Sequence, residues 1–302
     1  MSANIHSNTD AGPDSHVNVN AGASASLSAW RALFRRPNAM VGGALLAIML
    51  AAALIGHFYT PYDPVANDLA ERLMQPTAAH WLGTDEWGRD VLSRLLFGAG
   101  VSMTISFFTV VCAVVAGALI GAATGFFGGW FERVVMAWMD ALLAFPSLIM
   151  ALGVMTVFGS SRYGVVLALS LAYLPSVVRI VRASVLSLRE KEYVEASRVM
   201  GNSDLYTMFR HILPNCVAPI IVLATALFGW ALLSESALSF LGLGVPPPAS
   251  SWGGMLSDSR NFFGQAPWLA LAPGLSISIS LLGINLFGDA LRDQFDPRMK
   301  NL

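Results

Sequence analysis

The sequence predicts an all-α membrane protein with six transmembrane helices, and three observations support this fold class. Of the 302 residues, 55% are hydrophobic and 12% are charged, whereas soluble globular proteins carry about a quarter charged residues. Six stretches each contain about 20 mostly apolar residues, which is the length that an α-helix needs to cross a bilayer. Lys and Arg are distributed unequally between the segments on the two sides of these stretches.

The predicted spans divide the chain into three parts. The first 28 residues are rich in Asn, Ser, Ala and Gly, and they are expected to form a disordered cytoplasmic tail. Residues 29–100 hold the first span and an external segment, and residues 101–302 form the core domain. The spans are expected at Ala39–Phe58, Val101–Phe127, Val134–Phe158, Tyr163–Ala183, Val217–Leu243 and Leu269–Phe287.

The positive charges predict the orientation of the chain. One side holds 13 of the 18 Lys and Arg residues and the other side holds 5. The richer side is usually cytoplasmic, so both termini are predicted to lie inside, as an even number of spans requires. The poorer side has Arg72, Arg89, Arg94, Arg162 and Arg260; the richer side has Arg31, Arg35, Arg36, Arg133, Arg179, Arg182, Arg189, Lys191, Arg198, Arg210, Arg292, Arg298 and Lys300.

The long cytoplasmic loop at residues 187–215 is predicted to form two short helices around a break. Residues Glu190–Met200 are mostly good helix formers. Gly201 follows them where a left-handed cap is expected, and Ser203 or Asp204 can cap the next helix. An ordinary charged loop is the alternative. A folded helical loop is stiffer, however, and it can carry force from a cytoplasmic partner into the membrane.

This loop resembles the EAA loop of ABC-importer permeases. In that family the loop forms a coupling helix that docks in a groove of the cytoplasmic ATPase. Ser replaces the second Ala of the motif here, and the Ile of the general pattern falls on His211 or on Ile212. The residues that carry the resemblance, and the expected coupling role, are Glu195, Ala196, Ser197, Gly201, Leu213 and Pro214.

Four longer stretches are similar to the dipeptide, oligopeptide and nickel branch of these permeases, and they occur in the family's order. Within the branch, the chain looks like the second, shorter permease of the pair. The resemblance implies the type I ABC-importer transmembrane fold in a bacterial inner membrane. The stretches are His80–Ala99, Phe131–Ser147, Glu235–Leu256 and Gly288–Arg298.

The resemblance also implies the function and the partners. A permease of this branch translocates a peptide or a related small solute delivered by an extracytoplasmic solute-binding protein. Its expected partners are a homologous permease subunit and two ATPase subunits, which bind ATP and Mg²⁺. Nickel chelates, glutathione, opines and some sugars remain alternative solutes.

No nucleotide or catalytic site is expected on this chain. The two lysines follow Glu190 and Met299, so the Gly-Lys-Ser/Thr phosphate loop is missing from the sequence. Two cysteines provide neither a metal site nor a disulfide framework. An intramembrane protease would need a nucleophile and a base on facing spans, and none of the five histidines is central to a span. The net charge of −1 gives no basic face for nucleic acid.

Two acids and a proline within the spans are candidates for the translocation pathway. Ionisable residues inside a membrane usually face a cavity or the interior of a bundle, which makes Asp140 and Glu235 candidates. A helix–helix hydrogen bond is the favoured alternative for both. Pro146 could shape a cavity by kinking the third span, and a plain structural kink is equally expected. A stripe of small residues in the second span is predicted to pack against another helix: Gly117, Gly121 and Gly125.

The external loop after the fifth span is a candidate docking surface for a solute receptor. Pro246, Pro247 and Pro248 make a stiff, extended segment, and Trp252 adds an aromatic side chain. A lid anchored among lipid headgroups is the alternative interpretation of the same residues. An ion-coupled secondary transporter is the main alternative for the whole chain, but it would be expected to show an inverted repeat, and the sequence shows no convincing one.

The predicted orientation can be tested by cysteine labelling in intact cells. In a chain with Cys112 and Cys216 replaced by Ser, we expect Arg198→Cys and Arg298→Cys to resist an impermeant thiol reagent added outside, because both positions lie on the cytoplasmic side. Arg260→Cys is the external control and should label readily. Labelling of residue 198 or 298 from outside, at the rate of residue 260, would contradict the orientation.

Overall fold

The structure, a computed structural model, describes residues 36–295. The predicted tail at residues 1–28 lies outside the described residues, as do Arg31, Arg35, Arg298 and Lys300. Within residues 36–295 the chain is helical, with a single isolated β-bridge between Thr84 and Asp90. The α-helices are α1 Pro37–Phe58, α2 Val91–Phe127, α3 Gly129–Leu143, α4 Ser147–Phe158, α5 Arg162–Arg189, α6 Glu192–Val199, α7 Asp204–Thr207, α8 Val217–Phe240, α9 Trp252–Ser259 and α10 Trp268–Phe295.

Five segments of the described chain are long and apolar enough to cross a membrane, and a bent helix pair can supply a sixth crossing. The five are α1, α2, α5, α10 and the run from α7 to the end of α8, in which a π-turn at Met208–Ile212 and a 3₁₀ turn at Leu213–Cys216 connect the two helices. The bent pair is α3 and α4, which meet at 95°. The prediction of an all-α membrane protein is therefore confirmed, and the predicted number of six spans is reached when the bent pair is counted as one span.

The third predicted span, Val134–Phe158, is divided near Pro146 into two helices that meet at 95°. Pro146 does not kink a single helix, because it is the N-cap residue of α4 and α3 has already ended at Leu143. A proline disfavours the helical conformation of the residue before it, and this preference accounts for the break at Phe145. The bend separates a polar helix that carries Glu132 and Asp140 from an apolar one.

The second span begins ten residues earlier than the apolar pattern predicts, at Val91. Asp90 caps the helix, because its Oδ2 accepts a hydrogen bond of 2.7 Å from the backbone N–H of Ser93. The first turn also holds Arg94, which is 5% exposed and paired with carboxylates. A prediction from apolar residues alone leaves out the charged residue Arg94, whereas the helix includes Arg94 because carboxylates neutralise its charge.

The glycine stripe of α2 lies directly against α5, which confirms the predicted packing role. A Cβ atom on Gly117 would lie 2.6 Å from Val177 Cβ, and one on Gly121 would lie 2.7 Å from the carbonyl oxygen of Val178. On Gly125 it would lie 2.9 Å from Val185 Cβ. The two backbones therefore approach more closely than any side chain on the stripe would permit.

The other long helices surround this pair. α1 packs against α10 where a Cβ atom on Gly42 would lie 2.8 Å from the carbonyl oxygen of Gly283. One core cluster joins α2, α5 and α8 through residues such as Ile105, Leu169 and Leu238. A second cluster joins the first turns of α2 to α9 and α10, with Trp252 buried within it.

The close contact of α2 and α5 predicts a specific loss of stability. Gly121→Ala should lower the free energy of unfolding by about 1–3 kcal/mol, because the added Cβ meets rigid backbone. The midpoint of thermal unfolding in detergent measures this effect. Gly153→Ala in α4 is the matched control, since among the described residues its Cβ meets nothing within 4 Å, and it should be neutral or stabilising. Equal midpoints for the two variants would contradict the packing argument.

Candidate functional site

The candidate coupling loop contains one short helix, α6, whose two faces differ. Val194 and Ser197 are fully buried, whereas Glu195 and Ala196 are exposed. This spacing is that of an α-helix with one face packed on the protein. The helix is shorter than the predicted Glu190–Met200, because Lys191 is its N-cap residue and Met200 its C-cap residue.

Arg198 holds the end of α6 against the membrane helices. Its guanidinium carbon lies 5.2 Å from the centre of the Phe126 ring at the end of α2, a cation–π distance. Arg189, at the end of α5, donates a hydrogen bond of 3.0 Å to the carbonyl oxygen of Gly125. Among the described residues, no ion pair joins Glu195 to Lys191 or to Arg198, and the Glu195 side chain is exposed.

Gly201 ends α6 in the predicted left-handed conformation. Its φ is +78°, and its backbone N–H donates to the carbonyl oxygen of Arg198 at 2.9 Å. A side chain at this position would meet no described atom within 4 Å, so a substitution acts on the backbone conformation alone. Ser203 then caps α7 by accepting from the N–H of Tyr206 at 3.2 Å, and Asp204 is the first residue of that helix.

A buried hydroxyl pair joins the two parts of the loop, and sequence reasoning missed it. Ser197 Oγ lies 2.9 Å from Thr207 Oγ1, and both residues are fully buried. The side-chain amide of Asn202 donates to Ser197 Oγ at 3.2 Å. The serine that replaces alanine in the motif therefore fastens α6 to α7. The sequence does place a serine and a threonine on two adjacent helices, where their hydroxyl groups can pair. Thr207 could not be identified as the partner of Ser197 without the direction of the turn at Gly201.

The loop continues into the membrane without a flexible connection. Leu213 and Pro214 lie in the 3₁₀ turn that leads from the π-turn into α8. Pro214 is exposed and Leu213 is half-buried. Ile212 is fully buried and belongs to the core cluster of α2, α5 and α8. A displacement of α6 would therefore be transmitted to α8 through packed residues.

Several large apolar side chains of the loop are exposed. Val199 is 83% exposed and Met200 is 72% exposed. Contiguous exposed apolar surface on a protein commonly marks an interaction site. We call the following set the coupling face: Tyr193, Val199, Met200, Leu205, Tyr206 and Phe209.

Asp140 is joined to α5 by an ion pair. Its Oδ1 accepts a hydrogen bond of 2.7 Å from Arg179 Nη2, with the two side chains 60% and 55% exposed. One turn further along α5, Arg182 donates from Nε to Glu132 Oε1 at 2.6 Å. Arg179 and Arg182 therefore fasten α3 to α5. Since Asp140 is exposed, it lies on a surface of this chain as well as in a helix–helix contact.

Glu235 is fully buried in α8. Its carboxylate accepts from Ser239 Oγ at 2.8 Å and from Ser236 Oγ at 3.4 Å, and the side chains of Ser102 and Ser251 also face it. The structure therefore places Glu235 in a contact between α8, α2 and the segment before α9. The hydrogen bond to span serines, which the sequence favoured, matches this environment.

The two parts of the external loop differ in exposure. Pro246, Pro247 and Pro248 are all exposed. Trp252 is 1% exposed, and its indole N–H donates to the carbonyl oxygen of Leu95 at 3.1 Å. The prediction that Trp252 contacts a receptor is wrong, because burial against α2 removes it from the surface. It also cannot anchor a lid among headgroups.

A buried network of ion pairs lies on the same side, and the sequence analysis did not find it. Asp85 Oδ2 accepts from Arg89 Nε at 2.7 Å and also from Arg94 Nη1. Arg94 Nη2 also donates to Asp258 Oδ2 at 3.2 Å. Burial raises the pKa of Asp258, and Arg89 partly offsets this while Asp85 adds to it. Burial also raises the pKa of Glu86. The network ties the segment after α1 to α2 and α9.

His80 extends the network towards the start of α2. Its Nδ1 lies 2.9 Å from Asp90 Oδ1 and its Nε2 lies 3.0 Å from Glu71 Oε2. Burial alone would lower the pKa of His80, but the hydrogen bonds to the two carboxylates, with their charges, raise it above its usual value. Because folding raises the pKa of His80, this contact makes its full contribution to stability at a pH below the pKa of His80 in the unfolded chain. The contribution is lost as the pH rises through the pKa of His80 in the folded protein.

Among the described residues, no group of three or more metal-binding side chains is placed to hold an ion.

Known proteins resemble this chain over nearly its whole length. A chain of Brucella suis biovar 1, named provisionally as a peptide transport system permease protein, is 44% identical over 270 residues, which are 89% of this chain and 91% of that one. The dipeptide transport system permease protein DppC of Alkalihalophilus pseudofirmus is 39% identical over 280 residues, or 91% and 92% of the two chains. The glutathione transport system permease protein GsiD of Pectobacterium atrosepticum is 37% identical over 273 residues, or 90% and 91%.

Two family matches cover most of the described structure. Residues 25–76 match the N-terminal transmembrane domain of oligopeptide transport permease C. Residues 113–301 match the binding-protein-dependent transport system inner membrane component, and this match includes the coupling loop. The chain therefore belongs to the binding-protein-dependent transport permeases, the multi-pass inner-membrane subunits of ABC importers.

Proposed function

We propose that this chain forms half of the translocation pore of an ATP-driven importer for dipeptides, oligopeptides or related peptides. The observation that carries the proposal is the coupling face, an exposed apolar surface on a stiff loop that is packed directly onto the ends of α2 and α5. A homologous permease subunit would supply the other half of the pore. The peptide solutes are supported by the names of relatives that are 37–44% identical to this chain.

ATP hydrolysis would take place on two partner subunits that bind ATP and Mg²⁺. Each permease loop would dock in a groove of one ATPase, with apolar residues such as Val199 and Met200 buried in the contact. Glu195, which is exposed and has no ion-pair partner among the described residues, would meet a cationic or hydrogen-bond-donating group there. Burial of such a face stabilises a contact by roughly 25 cal/mol per Å² of apolar surface.

Movement of the ATPases would reach the pore through two connections. The first is the buried pair of Ser197 and Thr207, which makes α6 and α7 move together. The second is the packed run from Ile212 into α8. Because α5 carries α3 through two ion pairs, the bent pair of α3 and α4 would move with the same unit. Asp140 and Pro146 would then lie near the pathway.

On the other side of the membrane, an extracytoplasmic solute-binding protein would deliver the peptide. The proline segment at residues 246–248 is the part of this chain that we assign to receptor docking, without Trp252. Both termini and the coupling loop would be cytoplasmic, in agreement with the excess of Lys and Arg on that side.

Two substitutions in the loop test the coupling role. Gly201→Val should cost about 1–2 kcal/mol in backbone conformation and misplace α6, so that the ATPase no longer co-purifies with the permease. Glu195→Ala should lower peptide uptake strongly, because it removes the proposed contact with the ATPase. The abundance of the permease should stay normal, because the exposed side chain makes no hydrogen bond or ion pair with another described residue of this chain. Uptake of a labelled dipeptide and the amount of co-purified ATPase are the two measurements.

Gly159→Val is the matched control for the backbone effect. Gly159 has a φ of +77°, and a Cβ atom added there would meet no described atom within 4 Å, as at Gly201, but it lies at the end of α4. With ψ at 167°, Gly159 lies in a region of backbone conformation that is essentially restricted to glycine, so Gly159→Val should cost at least as much as Gly201→Val and still retain ATPase binding. Wild-type uptake and wild-type ATPase association in both loop variants would show that this loop is not the coupling element.

A further inference from the structure

A polar cleft on the external side of the chain has no role in the proposed coupling. It has a volume of about 620 Å³ and lies between the ion-pair network, the three-proline segment and α9. This volume is within the range of small-molecule sites, which is about 300–1,000 Å³. The residues that the argument uses are Trp87, Arg89, Arg94, Ser250 and Asp258.

The charged residues that line the cleft are Arg89, Arg94 and Asp258, and the carboxylates of Asp85 and Glu86, which are outside the lining, pair with the same two arginines. Arg89 and Arg94 are the two guanidinium groups, and they face three carboxylates, those of Asp85, Glu86 and Asp258. Asp258 is the member of this set that lines the cleft and is partly open, with its side chain 43% exposed. Its Oδ2 pairs with Arg94, whereas no donor among the described residues bonds to its Oδ1. This oxygen is therefore open to a hydrogen-bond donor of a ligand, and a cationic donor forms the stronger bond to a carboxylate.

Two buried polar atoms of cleft residues lack a partner in the described structure. They are Nε of Arg94 and Oγ of Ser250, and the two residues are 5% and 3% exposed. Leaving such atoms unpaired costs free energy, which a ligand that bonds to them would recover. Both atoms can donate a hydrogen bond, so the complementary ligand group is an oxygen acceptor close to the cation.

The rim of the cleft can hold an apolar or cationic group. Trp87 is 49% exposed and lines the cleft, and an indole face attracts an ammonium group in addition to packing against aliphatic side chains. The prolines at residues 246–248 line the cleft as well. This lining matches a ligand with three features, which are a cation, a carbonyl oxygen close to the cation and a short side chain.

We propose that the cleft binds the amino terminus of a peptide solute, with Asp258 accepting from the α-ammonium group and Ser250 and Arg94 donating to the first peptide carbonyl. The proposal rests on the proposed function, because it takes peptides as the solutes and this side as external. It assigns to the permease its own site for the amino terminus, separate from the solute-binding protein.

The test is peptide binding to the complete permease–ATPase complex in nanodiscs, without the receptor. The probe is radiolabelled Ala-Ala-Ala, and N-acetyl-Ala-Ala-Ala is the competitor that lacks the ammonium group. Asp258→Asn should weaken binding of the free peptide by about tenfold or more, as expected for a lost charge-assisted hydrogen bond. The acetylated peptide should bind weakly and equally to the wild type and to the variant.

Two further variants separate binding from folding. Asp293→Asn is the matched control, because Asp293 also pairs with an arginine, Arg36, at 3.2 Å on the protein surface, away from the cleft; it should bind like the wild type. Ser250→Ala removes a hydroxyl that makes no described bond within the protein, so it should keep the thermal midpoint and weaken peptide binding severalfold.

Three results would overturn the proposal. The first is unchanged affinity in both Asp258→Asn and Ser250→Ala. The second is an equal loss for the free and the acetylated peptide. The third is loss of receptor binding in Asp258→Asn with unchanged peptide binding, which would assign the cleft to a cationic side chain of the receptor. If the cleft proposal fails while the wild-type transporter still imports peptide, the proposed function stands; absence of peptide import by the wild type would refute that function instead.

Discussion

The close contact between α2 and α5 is the constraint on which the rest of the structure depends. Three glycines at a spacing of four residues allow the two backbones to meet along more than two helical turns. In a bilayer, apolar side chains gain little by leaving lipid for another helix, so close backbone packing is what favours association. The pair forms a rigid central element, and each functional part of the chain is attached to it.

The attachments are polar and lie towards the ends of these helices that are next to the coupling loop. Arg189 bonds to the last glycine of the stripe, and Arg198 lies over the ring of Phe126 one residue further on. Arg179 and Arg182 hold α3 through Asp140 and Glu132. The Asp140 pair is more than half exposed, and such pairs contribute little stability in water; its role is to position α3. The same central pair thus orients both the coupling loop and the bent helices.

The opposite side of the chain is constructed differently, from buried charges. Asp85, Arg89, Arg94 and Asp258 connect segments that are distant in sequence, and His80 adds a clamp at the cap of α2. Buried pairs of this kind rarely stabilise more than an apolar replacement would, but loss of one partner is costly. Such a network specifies where each segment lies. It therefore fixes the position of the wall of the cleft.

Apolar length predicted the membrane spans, and motif order predicted the family, because both depend on residues close together in sequence. The left-handed turn at Gly201 was predictable for the same reason. The early start of α2 was not, since Arg94 is acceptable there only because Asp85 and Asp258 neutralise it. The burial of Trp252 and the pair of Ser197 with Thr207 also depend on contacts between segments. Local composition indicates which secondary structure a segment can form. The positions of Arg94, Trp252 and Ser197 depend instead on which other segments pack against them in the folded chain.

Reconstituted transport tests the central claim most directly. Proteoliposomes would hold this chain with its permease partner, the two ATPases and the receptor, and they would be compared with proteoliposomes that hold this chain alone. The account predicts that labelled dipeptide accumulates only in the complete system and only with ATP, with hydrolysis stimulated by loaded receptor. Accumulation by the single chain under an imposed proton or sodium gradient, without ATPases, would contradict it and would identify an ion-coupled transporter.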